Sequence, residues 1–218
     1  MLHKDSPKIY KINGVGVNLE NYFPLKSETE KEDLKIKNGF SADDFILLYT
    51  AEFIPRKNHK LIFDILPTLR ENIPFLKVVL CGKGDLLQTY TQYASDNKMD
   101  YILFTGYTKQ VADFCRLSDL LVMPSYQEGL PMAMIEAIAT GLPVVASKIR
   151  GHTDVIENGF NGFLIAPDDE KGFEETILTL YQDSGLRNKM SEANILKSQN
   201  YRTELSVQKM AEIYKSLM

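Results

Sequence analysis

Residues 118–147 read SDLLVMPSYQEGLPMAMIEAIATGLPVVAS. The run DLLVMPS (119–125) is short, and its LLVM stretch (120–123) is apolar without a break, the pattern of a strand buried on both faces. LPMAMIEAIATG (130–141) is rich in Ala and Met and reads as a helix closed by Gly141. LPVVAS (142–147) is again strand-like. A strand, a loop, a helix and a strand in this order form one unit of a parallel α/β sheet, and such sheets bind ligands at the carboxyl ends of their strands. The loop Pro124–Pro131 therefore stands where chemistry is expected. It carries Glu128, and Glu136 follows two turns into the helix. Gly129 allows close backbone approach. The helix N-terminus offers free N–H groups and a partial positive charge, which suit a diphosphate. A carboxylate suits the paired hydroxyls of a ribose or hexose. Spacing alone fits equally well a capped helix with Glu136 on its solvent face.

Outward from this unit the alternation continues. FILLYTA (45–51), LKVVLCG (76–82), YILFTG (101–106) and GFLIA (162–166) read as further strands. Helices are predicted over NHKLIFDILPTLREN (58–72), 85–98 and 108–117, with two or three more in the tail. Pro67 should kink or shorten the first of these. The last, with Leu205, Met210, Ile213, Tyr214 and Leu217 on one face, should be partly exposed or fold onto its own domain. KIYKINGVGV (8–17) alternates as a strand would. SETEKEDLKIKNG (27–39) reads as a short surface helix closed by Gly39. The chain thus divides into a connection with a first strand (1–20), a doubly wound Rossmann-like domain (21–200) and a C-terminal helix (201–218).

Composition narrows the function classes. The chain has 218 residues, a net charge of -4 and 44% hydrophobic residues. A nucleic-acid surface would need a basic excess, so neither DNA nor RNA is an expected partner. Cys81 and Cys115 lie in apolar runs and read as buried thiols. His3, His59 and His152 are too scattered for a zinc cluster. No Asp-x-Asp pair offers a metal site, and Asp43-Asp44 and Asp168-Asp169 read as helix starts. No apolar run reaches the length of a membrane span, and the N-terminus lacks the apolar segment of a signal peptide, which points to the cytoplasm. Gly82-x-Gly84 has Leu87 at the third fingerprint position, which argues against a nicotinamide-dependent oxidoreductase. His152, after Gly151, reads as an N-terminal helix residue in water rather than a ligand group.

The 118–147 stretch resembles the Glu-x7-Glu signature of glycosyltransferase family 4, retaining enzymes of the GT-B fold. The likeness takes in Pro124-Ser125, Glu128-Gly129, Glu136-Ala137 and Gly141-x-Pro143-Val144-Val145. Other segments agree in order: Asn13-Gly14-Val15 with Phe23 and Pro24, Arg56-Lys57-Asn58, Gly82-x-Gly84, Phe104-x-Gly106 and Asn158-Gly159-x-Asn161-Gly162. It covers roughly residues 9–218, but only the C-terminal domain of that family. The resemblance implies a nucleotide-sugar donor, with UDP as the family-level expectation, and no metal or other cofactor. It places Glu128 at the donor sugar and Glu136 at the ribose hydroxyls. Lys57 would meet the diphosphate, as would the backbone at Gly129, Leu130 and Met132, while Gly82, Thr105 and Gly106 would lie near the base. The family commonly has an arginine five residues before that lysine, where this chain has Glu52. Arg56 then either supplies the second charge or is a solvated surface residue. The implied whole is a hexosyltransferase of cell-surface polysaccharide synthesis, with peripheral association at the inner face of the membrane. The expectation for this chain is that the acceptor-binding half is absent and that it is inactive alone. The rival reading is a nucleotide-binding or regulatory module without catalysis.

Overall fold

The computed structural model of the chain describes Tyr10, Ile12 and residues 14–217. In chain order it has α1 (Glu28–Lys37), β1 (Phe45–Thr50), α2 (His59–Asn72), β2 (Leu76–Cys81), α3 (Leu87–Asp96), β3 (Ile102–Gly106), α4 (Val111–Leu117) and β4 (Leu120–Met123). There follow α5 (Met132–Ala139), β5 (Val144–Ser147), α6 (His152–Val155), β6 (Gly162–Ile165), α7 (Glu170–Gln182), α8 (Ser184–Ser198) and α9 (Thr203–Leu217). The strands form one sheet in the order β3-β2-β1-β4-β5-β6. Every pairing is parallel. β1 is buried from Phe45 to Tyr49, as a central strand covered on both faces must be. α2 packs on α7, while α1, α4, α5 and α8 pack in succession on one another.

Strand order reverses between β1 and β4, which pair through Leu47 with Leu120 and Leu48 with Leu121. In an open parallel sheet this reversal opens a crevice beyond the carboxyl ends of the two strands, because their following loops lead away in opposite directions. The loops after β1 and β4 are those that carry Lys57 and Glu128.

Several sequence expectations change. The strand at 8–17 does not form among the described residues: Val17 makes a single parallel bridge with Arg202, and residues 8, 9, 11 and 13 of that stretch lie outside them. α2 runs through Pro67 to Asn72 without shortening. Asp169 does start a helix, its Oδ1 accepting the Gly172 N–H at 2.9 Å. Asp43-Asp44 instead precedes β1, and Asp44 Oδ2 accepts the Ser41 N–H at 2.7 Å. α1 is more than a surface helix. Lys31 and Lys35 reach Asp119, at 2.5 and 3.3 Å, and Asp119 also accepts the Ile46 N–H at 2.8 Å. One buried carboxylate thereby ties α1 to the starts of β1 and β4. Cys81 and Cys115 are free and buried. No described helix is long and apolar enough to cross a membrane.

Candidate functional site

The loops at the carboxyl edge of the sheet are stitched together by backbone bonds. Ala51 N–H donates to Cys81 O and Phe53 N–H to Lys83 O, both at 2.9 Å, and Gly82 N–H donates to Gly106 O at 2.9 Å. Gly82 has φ 148, and a Cβ there would stand 1.9 Å from Ala51 O. Only glycine lets the loop after β2 come this close to the loop after β1. Beyond β1 the chain makes a 3-10 turn, Pro55–Lys57, and Asn58 takes a left-handed conformation before α2. The Asn58 amide donates to Pro124 O at 3.2 Å and Pro167 O at 3.3 Å. It thus joins the loops after β1, β4 and β6 behind Lys57.

Lys57 Nζ lies 2.5 Å from Glu128 Oε1, with both side chains largely buried. The same Oε1 accepts the Ser125 hydroxyl at 2.8 Å. Tyr49, at the end of β1, donates its hydroxyl to Lys57 O at 2.6 Å and lies 3.0 Å from Ser125 Oγ. The two residues picked from sequence are therefore in direct contact, and Tyr49 and Ser125 hold the pair in place. Nothing in the sequence marked Tyr49, which sits within an ordinary apolar strand. Two sources of positive potential face this edge: the Lys57 ammonium and the N-terminal turn of α5, whose cap residue Pro131 gives no side-chain cap. A cleft of about 670 Å³ opens beside them, bordered by Tyr126, Glu128, Leu130, Arg150 and Asp154.

Thr105 and Gly106 end β3, two strands away from β1, with Gly82 between them and Lys57. Gly129, Leu130 and Met132 follow Glu128 into α5. Glu136 stands apart from the ion pair. It is half-buried and faces the Tyr22 hydroxyl, and desolvation raises its carboxyl above the ordinary range. The reading of a solvent-facing Glu136 does not hold. Tyr22 is brought there by Arg116, which lies 4.5 Å over the Phe23 ring and donates to Asn21 O at 3.3 Å. Burial raises the Tyr22 phenol as well. Arg56 is exposed and makes no ion pair among the described residues, and its backbone oxygen accepts the Tyr126 N–H at 2.8 Å. Glu52 is exposed.

His152 corrects the sequence reading outright. It is fully buried, not in water. Its Nδ1 lies 2.9 Å from Ser147 O, and its Nε2 has no partner. Burial lowers its pKa, with Glu128 and Lys57 the charges it feels. The signal that places it is tertiary: α6 is one short turn and tucks under the Glu128 loop. Among the described residues no three His, Cys, Asp or Glu side chains gather as a metal-ligand set.

Comparison with known proteins bears on the family and the fold. The family model of glycosyl transferases group 1 matches residues 30–197. The putative glycosyltransferase EpsD of Bacillus subtilis is 34% identical over 218 residues, which is all of this chain and 57% of that protein. An Escherichia coli protein is 32% identical over 190 residues, 85% of this chain and 48% of its own length. It is the UDP-Gal:alpha-D-GlcNAc-diphosphoundecaprenol alpha-1,3-galactosyltransferase. The chain spans about half the length of the curated relatives it matches. Among solved structures, Anabaena HepE in complex with UDP and glucose has a TM-score of 0.82 at 22% identity, covering 92% of this chain and 55% of HepE. The C-terminal domain of LpcC from Francisella tularensis has a TM-score of 0.75 at 19% identity, covering 86% of this chain and 99% of that domain. The fold is the doubly wound, Rossmann-like parallel sheet found in GT-B glycosyltransferase structures. With a family model over three quarters of its length, the chain belongs to the glycosyl transferases group 1 family.

Proposed function

We propose that this chain is the donor-binding half of a retaining glycosyltransferase of the family 4 type. It would move a sugar from a UDP-sugar to a hydroxyl in cell-surface polysaccharide synthesis. The observation that carries the reading is the Lys57–Glu128 pair at the point where strand order reverses, beside the N-terminus of α5. A diphosphate entering the crevice meets the Lys57 ammonium and the backbone N–H groups of Gly129, Leu130 and Met132, Pro131 between them having none. Negative charge grows on this group as the glycosidic bond breaks, so the same contacts stabilise the transition state more than the ground state. Glu128, which then shares Lys57 with the diphosphate, faces the donor sugar. Glu136 accepts the ribose hydroxyls, and the loop at Gly82, Thr105 and Gly106 borders the base. In this reading the charge of the diphosphate is met by the chain's own cation and dipoles, without a metal.

UDP as the donor nucleotide is supported by the HepE complex and by the name of the Escherichia coli relative. That relative's diphosphoundecaprenol acceptor suggests a lipid-linked sugar, met at the cytoplasmic face of the membrane. The relatives are about twice as long. A second domain across the crevice would then hold the acceptor, and this half alone would bind donor without transferring sugar. The test is calorimetric titration of the chain with UDP, GDP, uridine and NAD. UDP should bind more tightly than uridine. Binding of NAD but of neither diphosphate would overturn the proposal.

A further inference from the structure

The imidazole of His152 is buried with one hydrogen bond made and one unmade. A backbone carbonyl can only accept, so Nδ1 carries the proton and donates it to Ser147 O at 2.9 Å. That fixes the neutral tautomer, whose Nε2 lone pair has no donor. Leaving such an atom unpaired disfavours the buried state, and an apolar side chain would fill the space without that cost. The other buried histidine differs. His59 has both ring nitrogens unpartnered, but its ring stacks on Phe53 at 4.1 Å and packs against Tyr49 and Tyr90. Aromatic packing accounts for His59. His152 has no ring contact of that kind among the described residues.

What His152 does hold is a loop. The residue before it, Gly151, has φ 94 and lies so close to the Glu128 loop that a Cβ would stand 2.1 Å from Gly129 O and 3.0 Å from Glu128 O. The segment between β5 and α6 is thus a wall against the backbone of Glu128 and Gly129. The Nδ1–H bond to Ser147, the last residue of β5, anchors that wall to the sheet. We propose that His152 is a positioning residue of the donor site. By pinning Gly151 to the end of β5 it sets the Glu128 carboxylate against Lys57, and so aims the Lys57 ammonium at the diphosphate. The inference rests on the reading of Lys57 as the diphosphate contact.

The experiment is the ratio of UDP to uridine affinity, measured by calorimetry on the full chain and three variants. In His152→Asn the side-chain amide can place an N–H where Nδ1–H stood. In His152→Gln the amide reaches instead toward the Nε2 position, and His152→Ala keeps neither. The ratio should survive in His152→Asn and fall about tenfold in the other two, with uridine affinity unchanged. A merely structural role would weaken both ligands together and leave the ratio alone. A ratio within about twofold of the parent in folded His152→Ala or His152→Gln overturns the proposal. So does a loss in His152→Asn as large as in His152→Gln. If the parent chain itself does not prefer UDP over uridine, the diphosphate reading of Lys57 fails first, and that outcome is visible before any variant is made.

Discussion

Lys57 Nζ and Glu128 Oε1 lie 2.5 Å apart at the junction of β1 and β4, although 71 residues separate them in sequence. Each comes from the loop that follows its strand; the pairing of β1 with β4 places the two loops side by side, and Tyr49 and Ser125 hold the pair. Their side chains are 13% and 8% exposed, and a pair so buried is sensitive to loss of one member. If the ammonium meets only the diphosphate, as proposed, Lys57→Ala should weaken UDP far more than uridine. It should also destabilise the chain by about 3–5 kcal/mol, because the Glu128 charge is left unpaired. Adding Glu128→Ala should recover part of that stability but none of the UDP affinity. Chemical denaturation and calorimetry on the single and double variants read both effects. Equal losses for UDP and uridine would mean a general structural defect.

Arg56 gives the matched comparison. Its guanidinium is exposed and unpaired among the described residues, so Arg56→Ala should change stability by no more than about 0.5 kcal/mol. If Arg56 compensates for the missing arginine at position 52, the variant should still lose UDP affinity selectively. Unchanged UDP binding assigns Arg56 to the solvated surface.

Glu136 should show a conflict between stability and binding. Burial raises its folded pKa above the value of about 4.3 for a free glutamate. The folded chain therefore holds this proton to higher pH than the unfolded chain does. The stability so gained is complete below about pH 4.3 and is lost as pH rises through the raised folded value. At neutral pH the ionised carboxylate is a net cost, and Glu136→Gln should raise the melting temperature. If Glu136 holds the ribose hydroxyls, as proposed, the same change removes a charged acceptor and should weaken UDP by about 1–3 kcal/mol. Binding of UDP to the parent chain should likewise weaken as pH falls below the raised pKa. A Glu136→Gln chain that binds UDP like the parent would remove this residue from the site.

Much of this was legible in the sequence, for physical reasons that differ by element. Strands such as FILLYT are apolar along their whole length because both faces are covered, and a helix between two of them leaves one topology class. Gly82 and Gly141 punctuate where the backbone demands it. The Glu128 loop follows from its place after β4. The supports of the site were not legible. Tyr49 and Ser125 reach it through the register of β1 with β4, and Tyr22 through a strap clamped by Arg116. Burial of His152 depends on how one four-residue helix tucks in. Lys35 looked like any residue of a charged run, and only the position of Asp119 makes it a core cation.

Asp119 provides a stability test away from the crevice. It pairs with Lys31 and Lys35 and accepts the Ile46 N–H. Asp119→Ala should leave the buried Lys35 without a counter-charge, its ammonium held only by backbone oxygens such as Asp44 O at 2.6 Å, and the Ile46 N–H without an acceptor, at a cost of about 3–5 kcal/mol. Lys31→Ala, which leaves Lys35 in place, should cost much less. Nucleotide affinity of either folded variant should be unchanged, since Asp119 precedes β4 and lies at the opposite edge of the sheet from Glu128. Urea unfolding with a parallel UDP titration tests both statements.

The last prediction concerns α9. Of its residues only Ser206 is buried, and Leu205, Val207, Tyr214 and Leu217 are exposed, the last three by about 60% each. Among the described residues its attachments are few: Val17 N–H to Tyr201 O at 2.7 Å, Thr203 N–H to Val17 O at 3.2 Å, and the Tyr10 hydroxyl 3.2 Å from Ser216 Oγ. The first two lie at or before its first residue. A helix of this length is marginal in water without packing. Its amides should therefore exchange with solvent much faster than those of α2, whose Leu61, Ile65, Leu66 and Leu69 are buried. Deleting residues 205–218 keeps both backbone bonds of Val17. It removes little buried apolar surface, so stability should change by less than about 1 kcal/mol, a shift of about 2–4 °C or less in melting temperature for a chain of this size. The deletion should also lower any tendency to self-associate, because it removes an exposed apolar row. Slow exchange throughout α9, or unfolding on its deletion, would show instead that the helix is integral to this domain.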